Sequence, residues 1–478
     1  MSLRSVSEKQ IIDRLKFENP WWVSKEIEEF YNEMPRRLYF DIFKPLVYET
    51  DIKRALILMG PRRVGKTVML YHTVQDLIES GVPPNRIIFI TVESPVYLNT
   101  GLDEMLQYAI KAAGLEDAND LFVFYDEIQY LKNWEVHLKS LVDSYKRCKF
   151  IASGSAAAAL KYKSLESGAG RFTDFLLPPL TFNEYVHLKD LETLIKPSKV
   201  DWHGSNINFY STTHIEELNR HFVDYLNFGG YPEVIFSEKI QANPGRFIRQ
   251  DIIDKVLLRD LPSLYGIRDV QELNSLFTTI AYNTGNEFSL ETLSKESGGV
   301  KKQTIKTYIE YLESAFLIKT VRRVGQNAKR FQRDNFFKIY LTNPSLRAAL
   351  FSPISATDDM IGNMVETAIY AQWMHRDWFT PWYARWQNGG EVDMVCLSDS
   401  KFEVQWALEV KWSNRYFEKP RDLKSLMKFS SENDLSNVLV TSIDKEGTQE
   451  VDGINLHFFP ASTYAYTVGK NTLKMKGA

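Results

Sequence analysis

Between residues 60 and 67 the chain reads GPRRVGKT, and this octapeptide constrains the fold more than any other stretch. It satisfies G-x-x-x-x-G-K-[ST], in which glycines let the backbone turn tightly, so that its N–H groups and the start of the next helix face a phosphate. The flanks suit that geometry. The apolar run ALILM precedes it, and VMLYHTVQDLIESG follows with Gly81 where a helix C-cap belongs. A chain of this composition would generate the pattern by chance about 0.01 times. Gly60, Pro61, Arg62, Arg63, Val64 and Gly65 are therefore expected to wrap the phosphates of ATP, with Lys66 reaching the β- and γ-phosphates and the Thr67 hydroxyl ligating Mg²⁺. Arg62 and Arg63 either touch phosphate or are solvated.

Three more short apolar runs follow, RIIFITV (86–92), LFVFYDE (121–127) and KFIASGS (149–155), separated by the amphipathic MLQYAIKAAG and WEVHLKSLVDSYK. Apolar strands alternating with helices predict βαβ units around a buried, mostly parallel sheet, an α/β fold over residues 1–180. LFVFYDE ends its strand in two carboxylates. Asp126 is placed to hold Mg²⁺ through water and Glu127 to orient or deprotonate the attacking water, the two tasks that hydrolysis of a γ-phosphate sets. The plainer alternative is a solvated pair at a strand end. Ahead of the loop, the aromatic-rich first 50 residues predict an opening helix and then a short strand at RLYFDIF.

At 478 residues, 44% hydrophobic and 25% charged, the chain has the make-up of an ordinary globular protein of about three domains. The net charge of −3 gives no whole-protein attraction to nucleic acid, so any such site must be a local patch. Two cysteines, Cys148 and Cys396, argue against a disulfide framework and against Cys-based zinc sites. No apolar run approaches the roughly 18 residues needed to span a bilayer, and MSLRSVSEKQ lacks a signal peptide's hydrophobic stretch. The expectation is a cytoplasmic protein with no membrane association.

Past LLPPLTFNEY the strand signals fade, and residues 181–265 read mainly as helix. From Glu272 the order is helix (ELNSLFTTIAYNTG), helix (SLETLSKESG), helix (KKQTIKTYIEYLESAF) and the strand-like LIKTVRRV, which predicts a winged helix-turn-helix over residues 266–335. Residues 290–334 hold ten basic residues and five acids, about +5 in a chain of net −3. Lys301, Lys302, Gln303 and Thr304 at the start of the third helix, with Arg322 and Arg323 on the wing, suit contact with DNA phosphates. A protein-binding spacer or a merely solvated basic face are the alternatives. Tyr308 and Tyr311 are spaced for core packing.

A second constellation lies in the final block, residues 336–478. GEVDMVCL (390–397) and ALEVKW (407–412) alternate as strands do, which places Asp393 near Glu409 and Lys411 on one face, with Glu366 on the preceding helix MVETAIYAQW. Three carboxylates and a lysine around one point would hold Mg²⁺ at Asp393 and Glu409, with Lys411 orienting its water or balancing a phosphodiester. Glu409-x-Lys411 alone is weak, since 61 acids and 58 bases predict roughly seven such triplets by chance.

The words GPRRVGKT, FYDEIQYL, FIASGSAAAAL, GRFTDFLLPPLTFNEY and FGGYPEVI, in that order over residues 35–235, resemble prokaryotic AAA-superfamily ATPases. The resemblance implies that Ser153 or Ser155 is the γ-phosphate sensor, where many such proteins carry Asn. It also implies that Arg171 is a finger acting in cis or from a neighbouring subunit, the latter requiring a homo-oligomer. Otherwise Arg171 pairs on the surface with Asp174 or Glu184. Glu366, Asp393, Glu409 and Lys411 resemble the PD-(D/E)xK nuclease core, although Val392 stands where that core has Pro. The plainer alternative there is a degenerate domain in which Lys411 pairs with Asp393 or Glu409. The expected organisation is a P-loop AAA-type ATPase domain (1–180), a helical lid (181–265), the winged helix (266–335) and a restriction-endonuclease-like α/β domain (336–478). Two functions fit: an ATPase coupled to DNA binding or processing, or an ATP-driven switch whose C-terminal domains bind protein partners and cut nothing. A passive DNA-binding module that merely binds ATP is a third.

Overall fold

The computed structural model describes residues 6–154, 170–202, 204–328, 335–376, 379–386, 389–398 and 403–477. Ser155, and Lys329, Arg330 and Arg333 of the basic segment, lie outside the described residues. The chain divides into two compact units, residues 1–178 and 179–476.

The N-terminal unit is built on a five-stranded parallel sheet: β1 (Ala55–Met59), β2 (Ile87–Thr91), β3 (Phe122–Asp126), β4 (Lys149–Gly154) and β5 (Phe172–Leu176), in the order β2-β3-β4-β1-β5. β1 is buried along its whole length, as a parallel strand covered on both faces must be. Each such Leu or Ile contributes about 1.5–3 kcal/mol of transfer free energy. Crossover helices α3 (Lys66–Glu79), α4 (Leu102–Ala112) and α5 (Trp134–Ser144) join the strands. This is the α/β sheet that the apolar runs predict.

Two local expectations ahead of β1 come out differently from each other. Helix α1 (Glu8–Glu18) forms, with Ser7 and Gln10 as a capping box. RLYFDIF is not a strand: Phe40–Tyr48 is helix α2, because Phe40, Phe43 and Val47 recur at helical spacing and all three are buried. The segment after α1 covers the exposed edge of β2. Asn19 donates from Nδ2 to Phe89 O (2.8 Å) and accepts from Phe89 N (2.7 Å), while the Trp21 and Trp22 indoles donate to Ile87 O (3.0 and 2.9 Å). These side chains take the place of a sixth strand.

The second unit holds a mixed nine-stranded sheet. Helix α6 (Phe182–Leu188) is followed by a hairpin, β6 (Lys196–Trp202) and β7 (Ser205–Ser211), inside the stretch that reads as mainly helical. Most residues of the hairpin are at least partly exposed, so no apolar alternation marks it. Helix α7 (Ile215–Phe228) comes next, and then the order α8 (Val270–Tyr282), β8 (Glu287–Ser289), α9 (Leu290–Glu296), α10 (Lys302–Ser314), β9 (Ile318–Val324), β10 (Phe336–Leu341). β8, β10 and β9 pair antiparallel, and β9 continues through parallel pairing into β11 (Trp382–Trp386). The sheet runs on through β12 (Gly390–Leu397), β13 (Val404–Glu409), β14 (Asn437–Ser442) and β16 (Ile454–Pro460) to β15 (Gly447–Val451) at the far edge. Helix α11 (Ile361–Trp373) packs on it, with Tyr370 stacked on Tyr340 at 3.9 Å between centroids. Among the described residues, no helix is long and apolar enough to cross a membrane.

Candidate functional site

The loop after β1 is shaped by backbone contacts. A Cβ on Gly60 would fall 2.2 Å from Leu177 O, so only glycine lets the loop lie this close to the end of β5. Gly65 (φ +92°) turns the chain into α3 and is its N-cap. The buried Arg37, from the segment before α2, donates through Nη1 to Val64 O (2.9 Å) and Pro178 O (2.8 Å), fixing the loop from behind. Sequence reading missed Arg37, since one of two adjacent arginines carries no spacing signal.

Lys66 is buried and donates from Nζ to Gly60 O (3.1 Å) and Pro61 O (2.8 Å), folded back over its own loop. The Thr67 hydroxyl donates to Asp126 Oδ2 (2.9 Å), and the Ser153 hydroxyl donates to Asp126 Oδ1. Ser153 Oγ also accepts from Glu127 N (3.3 Å). Ser153 at the end of β4 thus touches both carboxylate residues at the end of β3. Glu127 sits in the left-handed region (φ 55°), and its carboxylate accepts from the Gln129 amide. Burial and the neighbouring Glu127 push Asp126 up to about 6, against the Ser153 and Thr67 hydrogen bonds and Lys66.

These groups fit ATP and Mg²⁺. The glycine turn and the first amides of a 14-residue helix can cradle phosphate, Lys66 can leave its carbonyls for phosphate oxygens, and the adjoining Thr67 and Asp126 oxygens are the hard donors that Mg²⁺ takes. Arg171 stands just ahead of β5 and donates from Nε to Asp143 Oδ1 on α5 (2.6 Å), a partner other than the Asp174 or Glu184 of the surface alternative.

In the second unit the antiparallel register of β12 and β13 sets Asp393 opposite Glu409. Lys411 Nζ lies 3.2 Å from Asp393 Oδ2 and 2.8 Å from Glu409 Oε1, and Val410 N donates to Asp393 Oδ2 (2.8 Å). Glu366 on α11 accepts from Tyr340 Oη (2.6 Å) and Lys338 Nζ (2.9 Å), and the same ammonium lies 2.7 Å from Glu391. Arg385 spans Glu391 and Glu287 (3.4 Å each), and Glu287 also accepts from Tyr383 Oη (2.7 Å) and pairs with Arg323 (3.5 Å). Arg323 is therefore engaged inside this network. Lys338, Tyr340, Glu391 and Glu287 were not among the expected site residues, yet a lysine inside the apolar strand FFKIYL is the cue that a buried charge there needs partners.

Burial alone would push Lys338 down, but Glu366, Asp393 and Glu391 outweigh it and hold it well above the ordinary lysine value. Burial raises Glu366 against the pull of Lys338. Glu409 is pushed up to about 7 by burial and by Asp393, despite its Lys411 partner, and its Oε2 is a buried atom with no hydrogen-bond partner. Asp393 is held low: burial raises it, and Lys411, Lys338 and the Val410 N–H overcome that. Among the described residues, no group of three or more His, Cys, Asp or Glu side chains is placed to hold a metal ion.

Residues 52–186 match the family model of an AAA domain, and residues 219–358 match a domain of unknown function, DUF8612. The uncharacterized protein MJ1544 of Methanocaldococcus jannaschii is 24% identical over 424 residues, covering 85% of this chain and 88% of that one. An uncharacterized protein of Haemophilus influenzae is 22% identical, over 86% of this chain and 94% of its own. Among solved structures, the Walker-type ATPase PABY2304 of Pyrococcus abyssi aligns over 65% of this chain and 94% of that chain, with 15% identity and a TM-score of 0.38. The N-terminal unit thus carries a P-loop AAA-type domain, by its family match and by its sheet.

Proposed function

We propose that the chain is a Mg²⁺-dependent ATPase whose nucleotide state acts on a DNA-binding C-terminal half. The observation that carries the reading is the hydrogen-bonded set Thr67, Asp126 and Ser153, with Lys66 folded over the glycine loop, at the carboxyl ends of β1, β3 and β4 and within the region that matches an AAA domain. Bound Mg²⁺ would neutralise charge on the β- and γ-phosphates. Lys66 binds those phosphates, and Glu127 orients or deprotonates the attacking water. Ser153, bonded to Asp126 and to Glu127 N, reports the γ-phosphate to both. Arg171 exchanges Asp143 for developing negative charge, in cis or in a homo-oligomer.

The order α8-β8-α9-α10-β9-β10 supports reading this stretch as a winged helix. Lys301, Lys302 and Gln303 are exposed at the start of α10, and Arg322 is exposed on β9, as phosphate contacts need to be. Residues 336–478 are read as PD-(D/E)xK-like. The alternative of a switch that cuts nothing is favoured, for this segment, by the two lysines that already pair its carboxylates.

The test is duplex-DNA binding by fluorescence anisotropy over a salt series, alongside ATP turnover. Lys301→Ala/Lys302→Ala is expected to weaken DNA binding and to lower the slope of log K against log salt by roughly two, with ATP turnover unchanged. Unaltered DNA binding in that variant would remove the winged helix as the contact.

A further inference from the structure

The carboxylates that the PD-(D/E)xK resemblance assigns to a divalent cation are met by ammonium groups of the chain itself. Lys338 Nζ lies 2.9 Å from Glu366 Oε1 and 2.7 Å from Glu391 Oε1, and its side chain is only 3% exposed. Lys411 Nζ takes Asp393 Oδ2 and Glu409 Oε1. Tyr340 Oη and Val410 N fill further acceptor positions on Glu366 and Asp393, and Arg385 takes Oε2 of Glu391.

Mg²⁺ demands near-octahedral oxygen ligands at about 2.0–2.1 Å, so its carboxylates must point at one place. Among the described residues no three do so. Asp393 and Glu409 both point at Lys411, which occupies the place between them, and Glu366 points at Lys338. The lysine of the nuclease motif accounts for Lys411. It does not account for Lys338, which comes from β10 in a different part of the sequence.

We propose that Lys411, between Asp393 and Glu409, and Lys338, on Glu366, are resident cations at the carboxylates to which the nuclease resemblance gives a divalent metal. The carboxylate cluster then takes neither Mg²⁺ nor Mn²⁺ and works as an ion-pair lock fastening β10 to α11 and β12. The proposal rests on reading residues 336–478 as nuclease-like. Removing Lys338 would leave the mostly buried Glu366 without a cation, which a divalent ion can then supply.

The test is Mn²⁺ binding to nucleotide-free, full-length protein, read by the electron paramagnetic resonance of free Mn²⁺, with a melting curve for each variant. ATP turnover and DNA binding are not involved, so failure here is separate from failure of the ATPase or DNA reading. Wild type, Asp393→Asn and Glu409→Gln are expected to hold the same number of Mn²⁺ ions. Lys338→Met is expected to hold one more per chain and to melt higher when Mn²⁺ is added, both effects vanishing in Lys338→Met/Glu366→Gln. The proposal is overturned if wild type holds an ion that folded Asp393→Asn and Glu409→Gln lose, or if folded Lys338→Met holds no more than wild type. Should Lys338→Met not fold, wild type against Asp393→Asn and Glu409→Gln decides alone.

Discussion

Arg37 holds the glycine loop after β1 from behind. Its guanidinium is buried and bonds two carbonyls, one in the loop and one just past β5. Hydrogen bonds to charged groups contribute about 1.5–3 kcal/mol each, so Arg37→Ala should destabilise the N-terminal unit by about 3 kcal/mol. It should also raise KM for ATP more than it lowers kcat, because the loop loses its support while the water-orienting groups stay in place. Arg37→Lys should recover part of the loss, and equal KM values for Arg37→Ala and wild type would contradict the positioning role. At this scale the sequence was legible where residues act through a fixed spacing. Gly60 and Gly65 turn the loop between β1 and α3, Thr67 meets Asp126, and Asp393, Glu409 and Lys411 meet across two strands. Arg37 and Lys338 were not legible because their partners are distant in sequence and include backbone carbonyls.

Among the elements, α3 makes the N-terminal unit's stability depend on pH. His72 is buried on it with Nε2 2.9 Å from Tyr31 O, and burial lowers its pKa from the usual 6.5. In the folded state His72 stays neutral at a pH where the unfolded chain already binds a proton. Its contribution is therefore complete above about 6.5 and is lost as pH falls toward the lowered value. Asp126, pushed up to about 6, works in the opposite sense, since the folded state binds its proton first and gains stability as pH falls through that value. The prediction is thus a difference. Melting free energies from pH 8 to 5 should fall more steeply for wild type than for His72→Gln, by up to about 1.4 kcal/mol per pH unit below 6.5. Parallel curves would sink it. The elements themselves were legible to unequal degrees. Strands buried on both faces announce themselves as apolar runs, as ALILM does for β1. The exposed hairpin β6–β7 has no such run, and RLYFDIF mixes aromatic residues that suit a strand with a spacing that suits a helix.

For the whole molecule, the four expected segments meet two compact units, residues 1–178 and 179–476. The expected boundary at 335/336 falls between β9 and β10, which pair in one sheet that continues to β15, and pairing between distant strands has no local signal in the sequence. The N-terminal unit is proposed to hydrolyse ATP, with Lys66 binding phosphate and Glu127 serving the attacking water. Steady-state ATP turnover with Mg²⁺ tests it most directly, in wild type, Lys66→Ala and Glu127→Gln, with nucleotide binding measured in parallel. Wild type is expected to turn over ATP, both variants to fall by at least about 100-fold, and ATP binding to be retained in Glu127→Gln but weakened in Lys66→Ala. Wild type without turnover, or Glu127→Gln turning over ATP like wild type, would contradict it.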